Sequence, residues 1–226
     1  MEKLMVLVQG SQSESYGQFK TRILESVNDF ANTEKPASIK LVITDFAPPK
    51  LSIIPFRLRK IASISICQNT QEVPDSLGKI QGISGIYRVT EAVPVAYEKT
   101  WKDGEPTPGV CLFTIFKQKK GISYETFINS WHNSHTPLSL RLHPLWNYSR
   151  NVVNEKLTET SAEWDGIVEE HFRTKADLLN PFKFFGKPLT ILQNMLEVYK
   201  DTQAFLDYKT LETYLASEYH IVSANP

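Results

Sequence analysis

The sequence predicts an α+β fold: two tandem ferredoxin-like β-α-β-β-α-β units, packed sheet to sheet as a barrel within one chain. Three observations point there. Apolar residues recur at helical spacing in two places, Tyr16, Phe19, Ile23, Val27 and Phe30, then Tyr124, Phe127, Ile128, Trp131, His135 and Leu138. The strand-like runs around these two helices follow the same order in each half. A stretch with two prolines and two glycines among charged residues, Lys99 to Gly109, separates the halves. A split-βαβ unit puts both helices on one sheet face and leaves the other bare, so two units can cover each other.

In chain order, residues 4–8 are a short apolar run of strand type, ended by Gly10. The first helix follows and Pro36 closes it. Residues 38–44 are a β-branched run, and Ala47-Pro48-Pro49 is a loop. Residues 59–66 alternate like a half-buried strand, 75–80 form a short helix, and 85–95 form a strand whose Pro94 suits an edge or an end. Beyond the linker come a strand at 110–116, a turn at 118–121 and the second helix. Ser123 stands at its start, and Pro137 ends or kinks it by disfavouring the helical conformation at Thr136. Strands at 147–154 and 164–172 follow. A helical insertion over 175–207, broken at Asn180-Pro181 and Gly186-Lys187-Pro188, precedes a closing strand at 213–222. The expected units are 1–98 and 110–226, joined by the linker 99–109.

Composition excludes several classes. Among 226 residues, 25 Lys+Arg balance 25 Asp+Glu, so no basic field for nucleic acid exists. Cys67 and Cys111 form no metal-spaced pair and imply no disulfide framework. The apolar N-terminal run is too short for a signal segment, and no run approaches the ~18 apolar residues of a membrane span. These features suggest a soluble, cytoplasmic protein with neither membrane nor nucleic-acid partners. Phosphate-binding, dinucleotide-binding, nucleophile-elbow and Cys-x-x-Cys motifs are absent, and no cofactor is expected.

Four segments of the second half go further: Gly121-Ile-Ser-Tyr-Glu-Thr-Phe127, Trp131-x-x-x-His135-x-Pro137-Leu138, Tyr148-Ser-Arg150-Asn151 and Asp165-Gly166-Ile-Val-Glu169-Glu-His-Phe172. In this order they resemble the EthD-domain family of dimeric α+β-barrel proteins. The first half has Ile23 and Val27 where the tryptophan and histidine would stand, so the resemblance implies a degenerate partner half and one histidine site per chain. The family usually pairs identical chains; here the pairing would be internal, with a further homodimer left open. The resemblance implies small-molecule chemistry on an apolar, aromatic or carbonyl-bearing compound, by cofactor-independent oxidation, dehydration or isomerisation. A carrier or accessory barrel that binds a hydrophobic ligand without turnover is the alternative.

His135, on the apolar helix face, is the candidate general acid/base, because an imidazole's charge changes near neutrality. The plainer reading is a core histidine satisfied by one partner. Glu169 or Asp165 would orient it. Tyr148 and Arg150, sharing one strand face, would anchor a substrate oxygen, and Trp131 and His132 would flank the substrate. Glu169 shares its face with Asp165, Ile167 and His171, and a one-residue register change would exchange Glu169 for Glu170. A metal site from His132, His135, Glu169 and His171 is disfavoured, because helical chelation more often uses i, i+4 spacing.

Overall fold

The computed structural model describes residues 1–224. Eight strands close into one antiparallel barrel: β1 (Glu2–Gln9), β2 (Ser38–Ile43), β3 (Ile61–Gln68), β4 (Ile83–Val95), β5 (Val110–Phe116), β6 (Leu145–Lys156), β7 (Gly166–Phe172) and β8 (Glu212–Val222). Around the ring the order is β1-β3-β2-β8-β5-β7-β6-β4. The first four strands are therefore contiguous as β4-β1-β3-β2 and the last four as β8-β5-β7-β6. The two arcs meet at two seams, β2 with β8 and β4 with β6.

Strand alternation sorts side chains between lumen and outer face. Met5, Leu7, Val42, Tyr87, Phe113, Ile167 and Tyr214 fill one part of the lumen. Outside, α1 (Tyr16–Glu34) lays Phe19, Ile23, Val27 and Phe30 on Leu4, Val6, Leu41 and Ile64. Ser15 caps this helix in a capping box with Gln18. Between β3 and β4 stands only a 3-10 turn, Asp75–Lys79.

The second helical layer runs continuously over residues 124–142: α2 (Tyr124–Asn129), a π-helical turn (Ser130–His135) and α3 (Thr136–Leu142). Pro137 neither ends the helix at Thr136 nor is tolerated in a regular turn. A proline lacks the N–H for a four-back hydrogen bond and its ring crowds the carbonyl four residues earlier. The chain answers by widening: the Thr136 N–H bonds five residues back, to the Trp131 carbonyl, which also accepts the Thr136 hydroxyl at 3.0 Å. Such π turns often mark functional positions, and this one ends on His135. Phe127, Trp131 and the strand residues Phe116, Tyr148 and Val168 make up the layer beneath.

The insertion after β7 forms three short helices, α4 (Lys175–Leu179), α5 (Pro181–Phe184) and α6 (Ile191–Thr202), with breaks where Asn180-Pro181 and Gly186–Pro188 fall. The stretch at 99–109 is strapped onto β8: Gly104 N–H donates to the His220 carbonyl at 2.7 Å and Thr107 N–H to that of Glu218 at 2.8 Å. No helix among the described residues is long and apolar enough to cross a membrane.

Gly166 opens β7 against the Phe116 ring, where an added Cβ would lie 2.3 Å from a ring carbon. Gly166→Ala should cost about 1–3 kcal/mol, as overpacking does, read as a lower midpoint of urea unfolding.

Candidate active site

A cavity of about 50 Å³ lies between the β5-β7-β6 sheet and the helix over 124–142. His135, Glu170, Tyr148, Trp131, Phe205 and Leu206 line it. The helix supplies His135 and Trp131, β7 supplies Glu170, β6 supplies Tyr148, and the turn after α6 supplies Phe205 and Leu206.

His135 is held at both nitrogens. Its Nδ1 lies 2.8 Å from Asp201 Oδ2 and its Nε2 lies 3.2 Å from the Ser139 hydroxyl. A carboxylate can only accept, so Nδ1 carries the proton and Nε2 is the basic nitrogen. Burial raises the Asp201 carboxyl, but hydrogen bonds from His135 and Ser134 outweigh it and hold the group below its ordinary value. Asp201 stays ionised and keeps the imidazole oriented.

Glu170 behaves in the opposite way. Its side chain is buried with no cation beside it, and burial alone pushes its carboxyl from 4.5 up to about 7. Tyr148 stands directly across the strand pair from it. Burial, and secondarily Glu170, push the Tyr148 hydroxyl up to about 12. The cavity thus holds a neutral phenol, a carboxyl poised near neutrality and an imidazole fixed by a carboxylate. Groups of this kind transfer protons to and from a bound molecule.

The carboxylates expected beside His135 lie elsewhere. Glu169, one residue from Glu170, points into the lumen because alternate strand residues face opposite ways. Its Oε2 lies 2.5 Å from the Lys40 ammonium. Asp165 caps a turn, its carboxylate accepting the Gln118 N–H at 2.7 Å. His171 also faces the lumen: its Nε2 donates to the Pro108 carbonyl at 2.8 Å, and its Nδ1 lies 3.9 Å from Glu218 Oε1, too far for a hydrogen bond. His132 and His135 are therefore separated from Glu169 and His171 by the sheet. Among the described residues no group of three or more His, Cys, Asp or Glu side chains is placed to hold a metal ion.

Of the substrate-anchoring candidates, Trp131 and Tyr148 line the cavity with His135. Arg150 lies under the helix, donating to the Thr136 hydroxyl at 2.6 Å and to the His132 carbonyl at 3.4 Å. Burial, with the Arg150 charge second, pulls the His132 imidazole down to about 4, so it is neutral. Sequence reasoning missed two residues. Glu170 differs from Glu169 only by strand register. Asp201 lies 66 residues from His135, in an insertion with no local signal of its own.

Barrel, helical layer and the histidine-bearing cavity between them define an α+β-barrel protein whose second half carries the candidate site. Residues 119–208, within the second half, match the family model described as EthD domain. No curated protein matches the chain by sequence. The fold is shared with an anthrone oxidase-like protein at 7% identity and a TM-score of 0.61, covering 100% of this chain and 96% of that one. It is also shared with a candidate monooxygenase of Fusobacterium nucleatum, at 10% identity and a TM-score of 0.51, covering 97% and 92%.

Proposed function

We propose that the chain is an EthD-type enzyme acting without a cofactor on a small aromatic or carbonyl-bearing molecule. The observation that carries this reading is the pairing, in one apolar cavity, of a carboxylate-oriented His135 with a Glu170 carboxyl raised to about 7. In the reaction we infer, His135 Nε2 removes a proton from carbon next to the substrate carbonyl. The C–H electron pair moves to the carbonyl oxygen, and protonated Glu170 donates its proton there, giving the enol. From the enol, isomerisation follows by return of the O–H proton to Glu170 and protonation at another carbon by the His135 imidazolium. Dehydration follows by the same return of the O–H proton as a β-hydroxyl leaves as water with the His135 proton. For oxidation the enol gives its O–H proton back and the enolate carbon passes its electrons to dioxygen, the added dioxygen taking the His135 proton as a carbon-bound hydroperoxide. The names of the two structural neighbours are in keeping with the last of these, though their similarity concerns the fold alone.

We further read the two arcs, each in the order fourth-first-third-second strand, as tandem ferredoxin-like units, the first without its second helix and without a histidine site. We take the protein to work in the cytoplasm, with its two cysteines free, and with a small apolar ligand rather than nucleic acid or membrane as its partner. A further homodimer is compatible with this reading.

The test is turnover of a panel of anthrones, phenols and aromatic ketones, followed by mass spectrometry. His135→Gln should lower kcat/KM by about 10²–10⁴-fold while ligand affinity measured by calorimetry persists. Equal transformation by wild type and His135→Gln would refute the assignment.

A further inference from the structure

The inner cavity, at about 50 Å³, is smaller than the ~300–1,000 Å³ of pockets that hold drug-sized ligands. A second cavity of about 430 Å³ opens at the surface beside it, lined by Lys119, Lys120, Gln203, Asp207, Tyr208 and Lys209. Leu206 lines both and so stands at the boundary between them. The backbone around that boundary is fixed. Lys119 N–H donates to the Phe205 carbonyl at 2.7 Å and Asp207 N–H to the Lys117 carbonyl at 3.0 Å. What can yield is the Leu206 side chain, which is 9% exposed.

The two rooms differ in charge. The inner one is apolar around His135 and Glu170. The outer one is lined by three lysines, Lys119, Lys120 and Lys209, and one acidic residue, Asp207, whose carboxylate accepts the backbone N–H of Lys209 at 3.0 Å. Lys119 Nζ donates to the Gln203 carbonyl at 2.8 Å, which holds one charge at the wall. Resting on the enzyme reading above, we propose that the substrate bears an anionic group. The outer cavity holds that group on the three lysines, and the Leu206 side chain turns aside so that the reacting ring occupies the space thereby joined through to His135 and Glu170. A neutral room for the ring and a positive one for its substituent divide recognition as small-molecule sites commonly do, with few polar groups fixing orientation. The lysines also steer an anion toward the entrance at low salt.

The experiment measures calorimetric affinity for 1-naphthoate, 1-naphthyl phosphate and methyl 1-naphthoate on wild type, on a Lys119→Glu/Lys120→Glu double variant and on Leu206→Trp. The anions should bind about tenfold tighter than the ester, the sum of two or three exposed ion pairs. That ratio should fall toward one in high salt and in the double variant. Leu206→Trp, which blocks the boundary, should lose binding of all three. A stronger response to naphthoate than to the phosphate would identify a carboxylic acid as the natural group, and the reverse a phosphate ester.

Equal affinity for anion and ester, a preference surviving the double variant, or no binding of any probe would overturn the proposal. Turnover of neutral ketones that depends on His135 but shows no anion preference would overturn this inference alone. Lysine-dependent anion binding with no transformation of any compound would instead sink the enzyme reading.

Discussion

Glu170→Gln should make the protein more stable at pH 8 and nearly inactive. The carboxyl lies buried without a compensating cation, and its value rises from 4.5 to about 7 in the folded chain. Below pH 4.5 both folded and unfolded chains hold the proton, and the residue carries no penalty. As pH rises above 4.5 the unfolded chain ionises while the folded chain keeps its proton. The unfolded state then binds fewer protons, so stability falls with pH until about 7 and stays lowered beyond. A displacement of that size corresponds to roughly 3 kcal/mol. Glutamine has the same shape and never ionises, so the variant should gain about 2–3 kcal/mol at pH 8 and nothing at pH 4. Urea unfolding at the two pH values reads this directly. Turnover should move the other way, falling about 10²–10⁴-fold with loss of the proton donor. The wild-type rate should decline above pH 7 as Glu170 ionises. Keeping a destabilising group where chemistry requires it is a trade seen at active sites. A variant whose stability matches wild type across the range would show that the carboxyl is not confined as described.

Periodicity legibly encodes the elements, because each helix and strand must bury one face. The Tyr16–Phe30 spacing, the strand runs and the breaks at Asn180-Pro181 and Gly186–Pro188 all reappear as elements or their ends. Pro137 was legible as a disturbance but not in its consequence. A widened turn and a kink relieve the same steric conflict, and only the packing of Trp131 and Phe127 on the sheet selects between them. The site was legible in part for a related reason. His135, Trp131 and Tyr148 follow from helix and strand faces. The direction of β7 does not, since the run Ile167-Val168-Glu169-Glu170-His171 offers an apolar and an acidic residue to both faces. Closure of the barrel decides it, by placing Ile167 in the lumen with Met5 and Val42. Asp201 depends on how the insertion folds back over the helix, a contact with no periodic trace.

Lys40→Met should strongly destabilise the barrel. The Lys40 ammonium lies 2.5 Å from Glu169 Oε2 and 3.6 Å from Glu218 Oε2, and both carboxylate side chains are at most 1% exposed. Burial acts first to lower the Lys40 value, yet the two carboxylates outweigh it and hold the amine well above its ordinary range. In turn Glu218, which burial would raise, is held far below the usual carboxylate range, with Lys40 the largest favourable cause. Tyr97, strapped over this end of the lumen, donates its hydroxyl to Glu218 at 2.5 Å. Methionine fills the space of the lysine stem but leaves two buried carboxylates sharing no cation, a loss of about 3–5 kcal/mol. For a chain of this size that lowers Tm by roughly 6–20 °C. The pH dependence carries the diagnosis. Without the cation, burial is left to raise the Glu218 carboxyl in the folded chain, so stability persists at low pH and is lost as pH rises. Wild type, whose Glu218 is depressed, keeps that stability above pH 4.5. The gap between the two should therefore widen from pH 4 to pH 8, and adding Glu169→Gln with Glu218→Gln to Lys40→Met should close most of it. A gap that stays constant with pH would mean that Lys40 contributes packing rather than charge. Lys40 stands on β2 and its partners on β7 and β8, so the ion pairs cross the seam joining the two arcs. Their loss should loosen barrel closure itself, which places the expected Glu169 contribution in stability rather than in the proton transfer proposed for Glu170.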